Sequence, residues 1–455
     1  MRILITSQPG AGHIGPLIPI AKAFISTGHQ VVIASGASYR NFVEKEGLGF
    51  IAAGLDFDEG RPAETLPEML DVPDEKKARW LLDTIFMDKA PKAMLPILLD
   101  IVDQFDLVIH DNYEYAGALA AEKMGVPYIC CNMSFLMRRD GVKVAIGKSL
   151  NMLRKHVGLP TDKGCEAIGR HMDMRLMPIS FSFMNALTGL SYKKLLVKNI
   201  LKGRQISQSI KMLMISSILS WVKYRHHENL HSPQPNEIFI NVWRQNNEPT
   251  SIPDWLRLMP KNRKTIYVSL GTVFNTIYPE VYDKVFSAAK NMNVNLIMVL
   301  GKEADLTRYG PLPSNVYVKD YVDQELLMPF VDLCIIHGGF STTMKGLNSG
   351  IPQLILPLSG DQPAIYSIAN TLGAAVDLPF DILKMDAEGA FGIDVKALTA
   401  GHLKDLINEG LGNPKLKACA SNIKEAMDHM DGEAEAVARI VRKFSGDITE
   451  EALAA

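Results

Sequence analysis

The chain has 455 residues, 47% hydrophobic and 22% charged, with 48 Lys and Arg against 50 Asp and Glu for a net charge of −2. These values exclude a disordered or fibrous chain, and the balanced charge offers nucleic acid no electrostatic hold. One core stops growing near about 250–300 residues, so two to three domains are expected, and five cysteines without a CxxC pair (Cys130, Cys131, Cys165, Cys334 and Cys419) argue against a disulfide scaffold or zinc site and suit a reducing cytoplasm.

The first element is an apolar run, Arg2–Thr6, too short for a signal peptide and read as a buried strand. Pro16–Thr27 reads as a helix, with Gly28 where a C-terminal cap belongs. Gln30–Ala34, Leu107–His110 and Pro127–Cys131 read as further buried parallel strands, with a helix over Tyr113–Lys123. Strands alternating with helices imply a doubly wound α/β sheet. Residues 1–230 form this first domain, with an insertion over about 138–225 that is Met-rich, helical in pattern and strand-poor. From Arg138 to Leu230 it carries 17 Lys and Arg against five Asp and Glu. That excess reads as a solvated helical surface, as a groove for an anionic ligand, or as a face for peripheral contact with anionic lipid. The run Met212–Val222 is too short to span a bilayer, and no stretch elsewhere is long enough.

Residues 231–262 hold Pro233, Pro235, Pro253 and Pro260 among polar residues and read as a linker. The same grammar then restarts over 263–430. Thr265–Leu270, Asn295–Leu300, Val331–Ile336 and Gln353–Pro357 are strand-like, and Pro279–Asn291, Thr342–Ser349 and Pro363–Leu372 are helical. Two Rossmann-like domains are therefore expected, followed over 431–455 by a charged helix with a frayed end.

Three motifs carry chemistry. Gln8-Pro9-Gly10-Ala11-Gly12-His13-Ile14-Gly15-Pro16 follows the first strand, so His13 belongs at the carboxyl edge of a parallel sheet, where such folds bind ligands. Imidazole suits proton transfer near neutral pH. Asp111 follows the strand Leu107–His110 and emerges at the same edge, placed either to orient and balance His13 or to cap the next helix. His110 is a rival base, but its alternate position points it into the sheet. Gly10, Gly12 and Gly15 also fit GxGxxG, so a nicotinamide or flavin site is a second reading. Against it, Ser35-Gly36 stands where a ribose-binding carboxylate belongs. The second motif, His337-Gly338-Gly339-Phe340-Ser341-Thr342-Thr343, opens a helix after a strand, a cradle for a diphosphate or a plain glycine turn with a hydroxyl cap. The third, Asp361-Gln362-Pro363, joins a carboxylate and an amide at a strand end, suited to sugar hydroxyls or to helix capping.

Together these residues resemble the family 1 glycosyltransferases of the GT-B fold, over nearly the whole chain, and especially the bacterial antibiotic, macrolide and zeaxanthin glycosyltransferases. The loop with Gly12, His13, Ile14 and Pro16 is similar to the family's catalytic loop, and His13 with Asp111 to its dyad. Tyr321-Val322-Asp323-Gln324 through His337-Gly338-Gly339 is similar to its donor signature.

The resemblance implies two facing domains, an acceptor site in the first and a nucleotide-sugar site in the second, with the last helix crossing back to the first. His13 would deprotonate an acceptor hydroxyl, which attacks the anomeric carbon with inversion, while Asp111 balances the charge. His337, Ser341 and Thr342 would hold the diphosphate, Thr272 would lie in the other phosphate-side loop, Tyr321 would stack the base, Gln324 and Gly339 would belong to the same donor site, and Asp361 and Gln362 would hold a glucose-like sugar. Neither a metal nor a cofactor is implied, because helix dipole, hydroxyls and imidazole offset the leaving-group charge. UDP-glucose is the first expected co-substrate and a dTDP-sugar the second. The acceptor is expected to be a small hydroxylated molecule, apolar or anionic. One position departs: the family usually carries a ribose-binding carboxylate where this chain has Lys345, which cannot accept a hydrogen bond. That leaves the nucleotide open, and with it a third reading, a non-catalytic partner protein on the same fold. The acceptor's identity and the oligomeric state are open as well.

Overall fold

The computed structural model describes residues 1–58, 61–131, 139–162, 175–177, 237–239, 241–242, 252–302, 304–385, 391–430 and 432–444. The first domain is built on seven parallel strands: β1 (Arg2–Thr6), β2 (Gln30–Ser35), β3 (Gly49–Ala52), β4 (Leu107–Asp111), β5 (Tyr128–Cys131), β6 (Arg175–Met177) and β7 (Glu237–Phe239). Their order is β3-β2-β1-β4-β5-β6-β7. The second has five: β8 (Lys264–Ser269), β9 (Val294–Val299), β10 (Val316–Lys319), β11 (Leu333–Ile336) and β12 (Gln353–Ile355), ordered β10-β9-β8-β11-β12. Both sheets thus begin with the same 3-2-1-4-5 order, the signature of a Rossmann-like half, and the order reverses between strands 1 and 4. A short antiparallel hairpin, β13 (Leu383–Met385) with β14 (Phe391–Ile393), completes the second domain.

Parallel sheets are covered on both faces, so their strands are apolar throughout. Ile3 and Ile5 of β1 and Leu107 and Ile109 of β4 face one side, while Leu4 and Val108 face the other. The helix Leu17–Ser26 covers the first side with Leu17, Ile20, Ala21 and Phe24. Phe57, Phe86, Leu95 and Leu119 cover the second. The final described helix, Glu433–Phe444, lays Ala436, Val437 and Ile440 on that first side, and so returns to the domain that holds β1.

The structure differs from the sequence reading at the far edge of the first sheet. β6 lies within the stretch read as strand-poor, and β7 within the stretch read as linker. Three-residue strands are too short to show a period, and Pro233 and Pro235 just before β7 read as loop. Most of the basic stretch, with Met212–Val222 and Cys165, lies outside the described residues. Among the described residues no helix is long and apolar enough to cross a membrane.

The domains touch. The helix Gly271–Ile277, which follows β8, buries Ile277 in the first domain's core, and Val273, Phe274 and Tyr278 pack there too. Lys302 Nζ lies 3.5 Å from Asp58 Oδ2, an oxygen that also receives Arg61 Nε at 3.2 Å. Asn241, just beyond β7, donates through Nδ2 to Asn348 Oδ1 at 2.8 Å and to the carbonyl of Met427 at 3.0 Å.

Candidate active site

β1 and β4 are neighbours, with Thr6 opposite His110. One residue further, Ser7 and Asp111 reach the carboxyl edge together, at the point where strand order reverses. Asp111 is fully buried and takes four donors: Ser7 Oγ at 3.2 Å, Gln8 N–H at 2.9 Å, Tyr113 N–H at 2.6 Å, and His13 Nδ1 at 3.2 Å. Burial alone would raise this carboxyl, but the His13 charge and the hydrogen bonds from His13, Tyr113 and Gln8 outweigh it and hold the group below the usual range.

Asp111 does not cap the following helix. That task falls to Glu114, which accepts from Ala116 N–H, from Gly117 N–H at 3.0 Å and from the Thr6 hydroxyl. Glu114 is buried, and burial pushes its carboxyl up to about 7. His110 is buried as well, and its Nδ1 donates to the carbonyls of Asp111 at 2.9 Å and Glu114 at 2.8 Å.

His13 sits in a single helical turn, Ala11–Ile14, opened by an extended Gly10 with φ of −172°. A β-carbon on Gly15 would meet the Ala11 carbonyl at 2.7 Å, whereas one on Gly12 would have nothing within 4 Å. Gly12 is exposed and Ile14 is buried in the core. The His13 side chain is 17% exposed. Two rings stand edge-on to it, Phe86 at 5.8 Å and Tyr113 at 5.6 Å.

The second domain uses the same reversal point. β8 and β11 pair with Ser269 opposite Ile336, after which Leu270–Thr272 and His337 leave the sheet side by side. The His337 ring is wedged between two glycines. A β-carbon on Gly271 would come within 2.7 Å of it and one on Gly339 within 2.5 Å. Gly271 also needs φ of +79° and Gly338 φ of +92°, so these turns require glycine twice over. Phe274 covers the imidazole at 5.6 Å. Burial lowers His337 to about 4, against a hydrogen bond with the Ser269 backbone, so the ring is neutral at neutral pH, and its Nδ1 makes no hydrogen bond.

Ser341 and Thr342 occupy the first turn of the helix Phe340–Asn348, both partly exposed. Thr272 is exposed at the start of the helix after β8, and Tyr321 presents an open ring, 64% exposed. Gln324 opens the helix Gln324–Leu327, and its Nε2 donates to Tyr267 Oη at 2.9 Å and Thr342 Oγ1 at 3.4 Å. Lys345 is half-buried; burial lowers its ammonium, while Glu325 and Asp323 act to raise it. Burial raises Asp361 to about 6, with His13 across the cleft near enough to oppose that rise. The Gln362 side-chain oxygen Oε1 is committed to its own loop, accepting from Leu358 N–H at 2.8 Å and Ser359 N–H at 3.0 Å.

Sequence reading missed Tyr267, Glu114 and Phe86. Tyr267 and Ser269 share one face of β8 by alternation, a signal that was available. Among the described residues no group of three or more His, Cys, Asp or Glu is placed to hold a metal.

Two Rossmann-like domains meeting at their reversal points define the class of fold, GT-B. Residues 283–442 match the Erythromycin biosynthesis protein CIII-like, C-terminal domain family. The uncharacterized UDP-glucosyltransferase YdhE of Bacillus subtilis is 24% identical over 97% of this chain and 98% of its own. Demethyllactenocin mycarosyltransferase of Streptomyces fradiae is 25% identical over 89% of this chain and 80% of its own. The crystal structure of glycosyltransferase VinC in complex with dTDP superposes with a TM-score of 0.64 at 20% identity, covering 98% of this chain and 100% of that one. With these likenesses the protein is a glycosyltransferase that works from nucleotide-sugar donors.

Proposed function

We propose that the enzyme transfers a glucose-like sugar, with inversion at the anomeric carbon, to a hydroxyl of a small natural-product or lipid-like acceptor. One observation carries this reading: His13 is held by a buried, ionised Asp111 and stands across the cleft from Asp361. His13 removes the hydroxyl proton as the oxygen attacks, and Asp111 balances the imidazolium that forms. The carbon–oxygen bond to the nucleoside diphosphate breaks with its electron pair going to the diphosphate. That charge meets the N-terminus of the helix Phe340–Asn348 and the hydroxyls of Ser341, Thr342 and Thr272, while the neutral His337 ring packs behind the Gly271 and Gly339 turns that shape this pocket. No metal is needed in this scheme.

Tyr321 stacks the base, and Asp361 with the amide of Gln362 meets the sugar hydroxyls. UDP-glucose is the preferred donor, as the name of the Bacillus subtilis relative suggests, and a dTDP-sugar is second, as the nucleotide bound to the structural neighbour suggests. The acceptor enters beside Phe86 and Tyr113, whose rings suit an apolar body. The enzyme works in the bacterial cytoplasm.

The test is transfer from a panel of nucleotide-sugars to a phenolic acceptor, with and without EDTA, and the product's anomeric configuration read by NMR. An α-linked donor is expected to give a β-linked product, with EDTA without effect and His13→Ala inactive. Retained configuration, or a His13→Ala enzyme within a few-fold of wild type, overturns the reading.

A further inference from the structure

Three separate loops face the donor half of the cleft, one after each of β8, β10 and β11. They carry Thr272, Tyr321 with Gln324, and His337 through Thr342. Nothing in covalent structure fixes their spacing, because each is anchored to a different strand. One hydroxyl in the core connects them.

Tyr267 lies in the middle of β8, paired with Ile297 on one side and Cys334 on the other, and is almost wholly buried. A phenol hydroxyl placed there costs stability unless it is hydrogen-bonded, and Phe would fill the same space without that cost. Polar groups flank the hydroxyl on two sides. On one side Ser269, two residues along the same face, lies beside the phenol, and Ser269 Oγ accepts the Gly271 N–H at 3.2 Å. From the other side Gln324 Nε2 donates to it at 2.9 Å, and the same amide nitrogen reaches Thr342 Oγ1 at 3.4 Å. Polar groups therefore line up from the Gly271 turn, past Tyr267, to Gln324 and the helix N-terminus at Thr342.

We infer that Tyr267 is a positioning residue that sets the three donor loops at one spacing before the nucleotide-sugar arrives. It touches no substrate; it lowers the ordering cost of binding by holding Gln324 and the Gly271 turn in register. The inference rests on the donor site proposed above.

Tyr267→Phe keeps the ring and removes only the hydroxyl. Losing one neutral hydrogen bond that acts on binding predicts a Kd for UDP, and a KM for the donor, raised about three- to tenfold. The acceptor KM and the melting temperature should stay near wild type. A double-mutant cycle of Tyr267→Phe with Gln324→Leu should be less than additive in donor KM, since both cut the same path. Donor KM and UDP Kd unchanged in Tyr267→Phe, or a lowered melting temperature with both constants unchanged, overturn the inference and leave Tyr267 a packing residue. Failure of the wild-type protein to bind any nucleoside diphosphate is a different result: it removes the donor site itself, and the inference with it.

Discussion

The two halves of the molecule solve opposite problems with the same scaffold and the same residue. Each places a histidine at the reversal point between strands 1 and 4 of a Rossmann-like sheet. In the first half the histidine comes from the loop after strand 1 and its partner from strand 4; in the second half the roles of the strands are exchanged. Across from His13 stands a buried carboxylate at 3.2 Å. Across from His337 stands Gly271, so close that a β-carbon would strike the ring. The neighbour across the reversal point thus decides what the imidazole does. Beside a carboxylate it can take up a proton and hold it. Wedged between glycines and cut off from water, it stays neutral and shapes the turns around it.

That contrast is broken most severely at His13. His13→Ala and Asp111→Asn should each lower kcat by about 10²–10⁴, the range that general-base catalysis supplies, with donor Kd little changed. Steady-state kinetics and calorimetry with UDP check it, and an equal loss in donor affinity would refute the division of labour.

Next come the pH limbs of stability. His337 is lowered to about 4 in the folded protein from 6.5, so between those values the unfolded chain binds the extra proton. Stability is complete above about pH 6.5 and falls as pH drops towards 4, by on the order of 3 kcal/mol. Glu114 runs the other way. It is raised to about 7 from 4.5, so the folded state holds the extra proton in that window and stability is lost as pH rises through it. Thermal melts from pH 4 to 8 should show His337→Gln flattening the acid limb and Glu114→Gln flattening the neutral one.

A third test compares glycines. Gly271→Ala forces a side chain into a positive-φ position and onto His337, at a cost of about 1–3 kcal/mol for the backbone alone. Melting temperature and UDP affinity should both fall. Gly12→Ala, with open space around it, should leave stability unchanged within about 0.5 kcal/mol. The smallest effect belongs to the bridge between the halves. Lys302→Ala removes an exposed partner of Asp58 and should cost less than about 1 kcal/mol, in melts that lose their salt dependence at that contact.

The sequence announced the strands that matter, because β4 and β11 are buried throughout, β1 and β8 beyond their first residue, and all four read as short apolar runs ending in glycine or polar loops. It also announced His13 and Asp111 as neighbours, because parallel strands of equal register deliver their next residues to one edge. It did not announce β6 and β7, whose three residues carry no period. Tyr267 stayed hidden because its amide partner lies 57 positions away. Glu114 fell inside the helix expected over Tyr113–Lys123, whereas the helix begins at Ala116; its burial depends on Thr6 and on Gly117, where a β-carbon would collide with the Thr6 hydroxyl. The neutrality of His337 is a property of packing, written in no single motif.

The backbone passes between the halves twice, once beyond β7 and once before the helix Glu433–Phe444, and Asn241 joins the two passages through the carbonyl of Met427. A body hung on one thread can swivel and tumble; hung on two threads lying side by side, it swings like a door on paired pins. Any opening of the crevice would therefore be widest at the edge away from Asn241, and would have to draw the helix Gly271–Ile277 off the first domain's core.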